Sequence, residues 1–142
     1  MTTILPTVLT IVQQFMTAFE QRDRTTLASL LAERSSLVQP ITFSGNDTPD
    51  FRAEGKEAVL AYLDNALSLF GTIQFVDPAF YIADNGTTVF VPTTGNMTTA
   101  QGLPYRNVYL FRLDIADGKI VHIDEYSNPV TFSQAFGAKL GK

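Results

Sequence analysis

Apolar and polar residues recur along this 142-residue chain with two different periods, and the change of period divides it into two parts. In the first part apolar side chains return every three or four residues, which is the spacing of one helix face. The first such run predicts a helix from about Pro6 to Gln21, with Thr3 or Thr7 at its start and Pro6 in its first turn. Its apolar face consists of Val8, Ile11, Val12, Phe15, Met16 and Phe19.

Two further helices are indicated in this part of the chain. Asp23 is suited to cap a second helix over residues 25–33, whose leucines fall on one side. A third helix is predicted from Lys56 to Phe70, and Gly71 is expected to end it.

The segment between the second and third helices divides into a strand and a loop. Residues 36–43 are predicted to form a short strand, in which Pro40 favours an edge position or a bulge. Residues 44–55 are rich in turn-forming residues and are predicted to form a loop. A loop of this length is either solvated or folded over the mouth of a cavity as a lid.

After Gly71 the period changes to two, which indicates strands. The Asn85-Gly86 and Asp117-Gly118 pairs between the apolar runs are hairpin signals, because these residues tolerate positive φ. The chain then ends in one or two helical turns over residues 129–137. The predicted strands span residues 72–84, 87–99, 105–115 and 119–126.

Helices followed by an antiparallel meander predict an α+β fold, with the N-terminal helices on one face of a curved, mostly antiparallel sheet. A strongly bent sheet closed by a long helix forms a cone with an interior. The chain has 11 Phe and 5 Tyr, which are enough to fill a core and also to line an apolar pocket. The length indicates one domain over residues 1–142.

Composition and charge exclude several classes of function. The chain carries a net charge of −4 and has no run of Lys and Arg, so nucleic acids and anionic membranes are poor partners. It has no Cys, which excludes disulfides, thiolate metal sites and a Cys nucleophile and agrees with a cytoplasmic location. The first residues lack the basic start of a signal peptide, and no stretch reaches the roughly 20 apolar residues of a membrane span.

Polar side chains are concentrated in one short strand near the end of the chain, DGKIVHIDEYSNP (117–129). Alternation places Val121, Ile123 and Glu125 on one face of this strand. His122 and Asp124 then share the other face with Tyr126, and a bulge between 122 and 125 would reverse this assignment. The polar members of the segment are His122, Asp124, Glu125, Tyr126 and Asn128.

The stretch PYRNVYLFRLDIADGKIVHIDEYSNP (104–129) resembles the last two strands of the SnoaL-like group in the NTF2-like superfamily. The shared pattern is Pro-Tyr-x-Asn-x-Tyr, then Asp-Gly-Lys-Ile, then Glu-Tyr-x-Asn-Pro. The tail NPVTFSQAFG is most similar to the phenazine-biosynthesis A/B branch. A long first helix, an Asp before the second helix and Gly55-Lys56-Glu57 at the start of the third extend the resemblance over most of the chain.

The resemblance implies a curved sheet wrapped around a pocket, a homodimer and a small apolar ligand. The superfamily includes ketosteroid isomerases, polyketide cyclases, epoxide hydrolases, dehydratases and many members with no catalytic role, so the fold alone does not define a function. The outer sheet face is predicted to carry Val108, Leu110 and Ile120 among charges, which suggests that a second copy covers it.

The resemblance also implies that Glu125 points into the pocket, where burial would raise its pKa and make it a candidate general acid or base. The residues alone leave a second interpretation open, in which Glu125 pairs with an arginine such as Arg106 or Arg112. His122 is predicted on the outer face or at a dimer contact, and one histidine does not make a metal site.

The neighbouring strand offers Tyr105, Asn107, Tyr109, Phe111 and Leu113 on one face, and this mixture of hydrogen-bonding and apolar groups is typical of a small-molecule site. Asn107 and Tyr109 are candidates to orient or polarise a carbonyl group. The alternative for Tyr109 is simple packing. Candidate core or pocket-wall residues are Phe15, Phe19, Phe43, Tyr62 and Phe90, with core packing as the commoner role of aromatic residues at helical spacing.

Two departures from related enzymes limit the chemistry that the resemblance implies. Residues 93–96 are Thr-Thr-Gly-Asn, where the epoxide hydrolases carry an arginine and an acid, and the histidine of the phenazine branch is not evident. No metal or cofactor motif is present. The expected function is therefore a small-molecule pocket, either a cofactor-free acid/base enzyme (isomerase, cyclase or condensation) or a non-catalytic ligand-binding or dimeric interaction module.

Overall fold

The computed structural model describes residues 7–141. Helices and short strands alternate in the first half of the chain, and a long antiparallel meander follows. The described elements are α1 (Val8–Glu20), α2 (Arg24–Leu30), β1 (Leu31–Val38), β2 (Arg52–Glu54), α3 (Lys56–Ser68), β3 (Phe70–Thr72), β4 (Phe75–Val76), β5 (Tyr81–Ile82), β6 (Thr88–Thr99), β7 (Pro104–Ala116), β8 (Lys119–Ser127) and α4 (Pro129–Phe136).

All described strands belong to one sheet with the order β2-β1-β8-β7-β6-β3, and β4 and β5 also pair with β6. The strand β1 runs parallel to β8, while the other pairs are antiparallel. The sheet does not close on itself. The helices pack on it as the α+β class predicts, so this fold class is confirmed.

The core lies between the helices and the inner face of the sheet, because both surfaces are apolar there. The first helix contributes Ile11, Val12, Phe15 and Met16, and the long strands contribute Val89, Val91, Leu113 and Ile123.

The first helix begins and ends close to its predicted limits. Thr7 is its N-cap and accepts a hydrogen bond from the Thr10 amide at 3.1 Å. Asp23 caps α2 in the same way, with 3.1 Å between its Oδ1 and the Thr26 amide. The alternative cap Thr3 and the predicted first-turn Pro6 lie outside the described residues.

The predicted boundary between the second helix and the following strand is wrong. The helix ends at Leu30, and β1 spans Leu31–Val38 and not residues 36–43. The leucines at 27, 30 and 31 fit a helix face, but the backbone from Leu31 onward pairs with β8 and β2, and this tertiary pairing outweighs local propensity. The strand ends before Pro40 and lies between two other strands, so it is not an edge strand.

Two further boundaries also differ from the sequence-based prediction. The predicted loop 44–55 contains β2, which pairs with β1. The third helix ends at Ser68, and Gly71 lies in β3. A Cβ at Gly71 would lie 3.0 Å from the Thr99 carbonyl oxygen, so the glycine permits a close approach of two strands.

The predicted strand 72–84 is interrupted, whereas both predicted hairpin turns are confirmed. Asp77 has a φ of 46°, and Pro78, which follows it, has no amide to donate. Only the short pieces β4 and β5 therefore pair with β6 in this part of the chain. Asp117 and Gly118 both have positive φ, 53° and 74°, as a tight turn between twisted strands requires.

A bulge near the start of β8 determines which of its side chains face inward. Ile120 pairs with Ile115, but His122 pairs with Asp114, so Val121 is an extra residue in this strand. Ile120 is consequently fully buried in the core, which corrects its predicted place on the outer face. From His122 onward the pairing is regular, so Ile123 and Glu125 share the inner face.

The side chain of Arg22 connects the turn after α1 to the end of α3. Its guanidinium donates to the carbonyl oxygens of Leu67 at 2.8 Å and Gly71 at 3.2 Å, and also to that of Phe70. These carbonyls belong to the last turn of a helix and the chain that follows, where backbone acceptors lack helical partners. Arg22 itself has a φ of 57°.

Replacing Arg22 should destabilise the fold more than replacing its neighbour Arg24. Arg22→Asn keeps a residue that tolerates positive φ but removes charge-assisted hydrogen bonds, so we expect a loss of about 2 kcal/mol in the free energy of unfolding. Arg24→Asn breaks only an exposed ion pair with Asp64 and should cost less than about 1 kcal/mol. Urea denaturation of both variants measures the difference, and equal losses would contradict this role of Arg22.

Candidate active site

The helices and the inner face of the sheet enclose a cavity of about 270 Å³. Its wall is mostly aromatic and aliphatic, and the residues that line it include no Lys, Arg or His. Glu125 is the one carboxylate among them. The other polar side chains on the wall belong to Gln39, Tyr62, Asn65, Tyr105, Tyr109 and Ser127.

Glu125 projects from β8 into this cavity, opposite Phe111 on β7. Its Oε1 accepts a hydrogen bond from the Tyr62 hydroxyl of α3. The Gln39 amide donates to the Tyr62 oxygen at 2.8 Å and lies 3.5 Å from the same carboxylate oxygen. The three side chains thus form one polar group in an otherwise apolar wall.

The alternative partners considered for Glu125 are occupied elsewhere. Arg112 forms an ion pair with Asp114 at 3.3 Å, and Arg106 donates to the Met97 carbonyl oxygen at 3.3 Å. Both arginines lie on the outer side of β7, because they alternate with Phe111, which faces inward. Among residues 7–141, Glu125 therefore has hydrogen-bond donors but no basic partner.

Burial raises the pKa of Glu125, and the hydrogen bonds from Tyr62 and Gln39 oppose this effect without cancelling it. Burial is also the main cause that raises the pKa of Tyr62, followed by the charge of Glu125. The phenol consequently stays protonated as a donor. The carboxyl group retains its proton to a higher pH than an exposed glutamate does, and this upward direction is the one that favours a general acid or base.

Tyr109 lies next to Glu125 on the inner face, because its strand partner is Ser127, two residues beyond Glu125. Its hydroxyl points to the Met97 sulfur at 3.7 Å, and a thioether is a weak acceptor. Burial raises the pKa of Tyr109, with smaller effects from Tyr105 and Glu125. Tyr109 is therefore a neutral donor that a ligand oxygen can engage.

Gly95 provides the space in which the Tyr109 ring lies. A Cβ at this position would be 2.6 Å from Cε2 of Tyr109 and 3.0 Å from the Met97 methyl carbon. Any other residue would therefore push the ring away from β6. The sequence signal for this role is a glycine inside a strand, which often marks close approach of another group.

Asn107 is not among the residues that line the cavity, in contrast to its expected contact with a ligand. Its amide donates to the Tyr105 hydroxyl at 2.7 Å and to the Asn128 carbonyl at 3.2 Å, and its Oδ1 accepts from the Asn128 amide at 3.1 Å. Asn107 thus fixes Tyr105, which does line the cavity, and the start of α4. Burial raises the pKa of Tyr105, so this phenol is also neutral.

Four of the five aromatic residues proposed from the sequence as core or pocket wall line the cavity: Phe15, Phe19, Phe43 and Tyr62. Phe90 does not line it, because it pairs with Arg112 on the opposite side of the sheet. Phe43 packs on Phe132 of α4 at 5.5 Å, and Phe51 stacks on Tyr62 at 5.0 Å. The segment between β1 and β2 and helix α4 therefore both cover the cavity. Gln39 was missed, because its position on the wall depends on pairing between distant strands. Tyr105 shares the predicted inner face of β7 with Tyr109 and lines the cavity.

His122 lies on the other side of β8 and does not line the cavity. One ring nitrogen is 2.7 Å from the Ser36 hydroxyl and the other is 2.7 Å from Asp124. Within residues 7–141 no group of three or more His, Cys, Asp or Glu side chains is arranged to hold a metal ion.

Comparison with known proteins identifies the family. The sequence model of the SnoaL-like domain matches residues 12–123. The chain belongs to the SnoaL-like domain family. Its fold is that of the NTF2-like proteins, which occur among the matching solved structures. None of the described helices of this SnoaL-like chain is long and apolar enough to cross a membrane.

Three similar proteins illustrate how far this likeness reaches. Protein YesE of Bacillus subtilis, which has no described function, is 28% identical over 88% of this chain and 84% of its own length. A solved B. subtilis protein that is provisionally named an isomerase has a TM-score of 0.80 and 25% identity, over 95% of this chain and 96% of that chain. A Pseudomonas aeruginosa phenazine biosynthesis-related protein has a TM-score of 0.73 but 16% identity, over 95% and 86% of the two chains, and shares the fold alone.

The pKa shift of Glu125 should appear as a pH dependence of stability. Between the ordinary value of 4.5 and the raised value, the folded protein binds more protons than the unfolded chain, so stability falls as pH rises through this window. Glu125→Gln removes this loss. The stability of the variant relative to the natural protein should therefore increase as pH rises from about 4.5.

Urea denaturation at a series of pH values measures this difference. The matched control is Glu57→Gln, because Glu57 is exposed and its replacement should not gain relative stability over the same range. A constant difference for Glu125→Gln would show that the Glu125 carboxyl group has an ordinary pKa in the folded protein.

Proposed function

We propose that this protein is a cofactor-free acid/base enzyme that acts on a small apolar carbonyl compound, as an isomerase or cyclase. Residues 1–142 would act as one domain. The observation that carries the proposal is the placement of Glu125, a carboxyl group with a raised pKa on an apolar cavity wall. A solved relative that is provisionally named an isomerase agrees with this class of reaction.

The proposed reaction begins with proton transfer from carbon to Glu125. The substrate oxygen accepts a hydrogen bond from the Tyr109 hydroxyl, and ionised Glu125 removes a proton from the carbon beside the carbonyl group. In a β,γ-unsaturated ketone the electron pair of the broken C–H bond forms a double bond to the carbonyl carbon, and the carbonyl π pair moves to oxygen, which gives a dienolate. Glu125 then returns the proton to the γ carbon, which binds it with the β,γ π pair while the C=O bond re-forms and the double bond shifts to the α,β position. The conjugated isomer therefore forms without any further reactant.

The residues around Glu125 support this sequence of steps. Tyr62 and Gln39 hold one carboxylate oxygen and leave the other available to the substrate. A phenol with a raised pKa remains a neutral donor, and it stabilises the negative charge that develops on the enolate oxygen. Asn107 takes no direct part in this proposal and orients Tyr105.

The test is the isomerisation of a β,γ-unsaturated cyclohexenone to its conjugated isomer, followed by ultraviolet absorbance. Glu125→Gln should lower kcat by about 10²–10⁴-fold, the usual contribution of a general base. Glu57→Gln is the control and should leave the rate unchanged. Tyr109→Phe should lower the rate less, by about 10-fold or more.

Binding measured beside turnover distinguishes this proposal from a ligand-binding module without chemistry. If the natural protein binds the ketone but does not accelerate its isomerisation, the acid/base proposal fails and the binding module remains. Equal turnover by the natural protein and by Glu125→Gln would remove Glu125 as the acid or base.

We also propose that two copies associate through the outer face of the sheet. Val108 on this face is 59% exposed, although it lies in the middle of a long strand. Strand pairing places Leu110, Pro92 and Tyr126 together on the same side. Since α1, α2 and α3 pack on the opposite face, this apolar area has no cover within the described part of the chain.

Light scattering at micromolar concentration measures the mass of the particle and should give that of a dimer. Val108→Lys places a charge in the apolar area and should shift the protein to a monomer. Thr17→Lys, which adds the same charge on the exposed side of α1, is the control and should leave the particle a dimer. A monomeric natural protein would contradict this arrangement.

A further inference from the structure

We propose that the cavity selects an uncharged ligand of about ten non-hydrogen atoms that carries one oxygen acceptor, and that it excludes carboxylates and phosphates. The inference rests on the proposed function, because it concerns the ligand of the same cavity. It adds the charge and the size of that ligand.

The exclusion of anions follows from the charges on the wall. The lining residues include Glu125 and no basic side chain. Arg22, near the end of α3, donates its hydrogen bonds to the carbonyl oxygens of Leu67 and Gly71. Lys56 is paired with Glu33, at 3.7 Å. An anionic ligand would therefore lose its hydration without gaining an ion pair, and it would be repelled by Glu125.

The preference for an acceptor oxygen follows from the hydroxyl groups on the same wall. Tyr109 points to a thioether sulfur at 3.7 Å, and the Tyr105 oxygen already accepts from Asn107. Both phenols thus have a proton to donate to a ligand. A carbonyl oxygen can accept from them, whereas an ammonium group cannot, so the hydroxyl groups favour a ketone over an amine.

The limit on size follows from the volume and from the aromatic side chains on the wall. A cavity of roughly 150 Å³ accepts benzene, so the 270 Å³ available here corresponds to one ring with a short substituent or to two small fused rings. The pairs Phe43–Phe132 and Phe51–Tyr62 line this space, with 5.5 Å and 5.0 Å between ring centres. Gly95 keeps the Tyr109 ring out of the remaining space.

Binding of three probes of matched size tests the selection by charge. Acetophenone, benzoate and benzylamine are titrated into the natural protein by calorimetry at about pH 8, where benzoate is ionised. We expect acetophenone to bind and benzoate to bind on the order of 100-fold more weakly. In Glu125→Gln the affinity for acetophenone should change little, and the difference between the two probes should shrink by about tenfold or more.

Each other outcome overturns the inference. Benzoate binding as tightly as acetophenone, an unchanged difference in Glu125→Gln, or absence of acetophenone binding would contradict selection of an uncharged ligand. Benzylamine as the tightest probe would show that the aromatic wall and Glu125 select a cation. Glu57→Gln, which alters an exposed carboxylate of the same charge, should bind all three probes as the natural protein does.

A second series tests the size limit and keeps this inference separate from the proposed function. A bicyclic ketone such as tetralone should bind, and a four-ring steroid ketone should not; tighter binding of the steroid would overturn the limit. If the natural protein selects its ligand by charge but shows no turnover, the proposed reaction fails and this inference stands. If the protein shows turnover but binds benzoate and acetophenone equally, this inference fails and the proposed reaction stands.

Discussion

One extra residue in β8 decides what faces the interior of this protein. Because Val121 forms a bulge, Ile120 and Ile123 both reach the core, and the strand then continues with Glu125 on the same face. Successive side chains of a strand alternate between its two faces. Without the bulge, the side chains on one side of position 121 that now face inward would therefore face outward, and those that face outward would face inward. The bulge thus allows the start of β8 to contribute side chains to the core and the end of the same strand to contribute side chains to the cavity wall.

The cavity places a carboxyl group where a charge is poorly solvated, and the surrounding residues only partly compensate for this. Two donors, Tyr62 and Gln39, hold Glu125, but no basic side chain in the described part of the chain neutralises it. A basic partner would lower the pKa of Glu125 and fix its charge. The absence of such a partner on the wall keeps the proton exchangeable, and the same feature makes the cavity unfavourable for anions.

Membership of the SnoaL-like family establishes the architecture and does not by itself establish a reaction. The family match ends at residue 123, two residues before Glu125, and the structural likeness to the phenazine biosynthesis-related protein holds at 16% identity. The fold supplies a conical enclosure, and the chemistry depends on the few polar side chains that a given sequence places on its wall. In this chain they are the Glu125 carboxyl group, three phenols, the amides of Gln39 and Asn65, and the Ser127 hydroxyl.

The sequence by itself determined the helices with a clear apolar face, the Asp117-Gly118 turn and the alternation along β7 and β8, because these features depend on local period and turn chemistry. It did not determine that β1 begins at Leu31, that the segment after Gly71 is broken, or that Gln39 meets the cavity. These depend on pairing between residues far apart in the chain: β1 lies beside β8 only in the folded sheet. Asn107 is a further example. The sequence indicated which face of the strand carries Asn107, but its hydrogen bonds to Tyr105 and Asn128 depend on the tertiary structure.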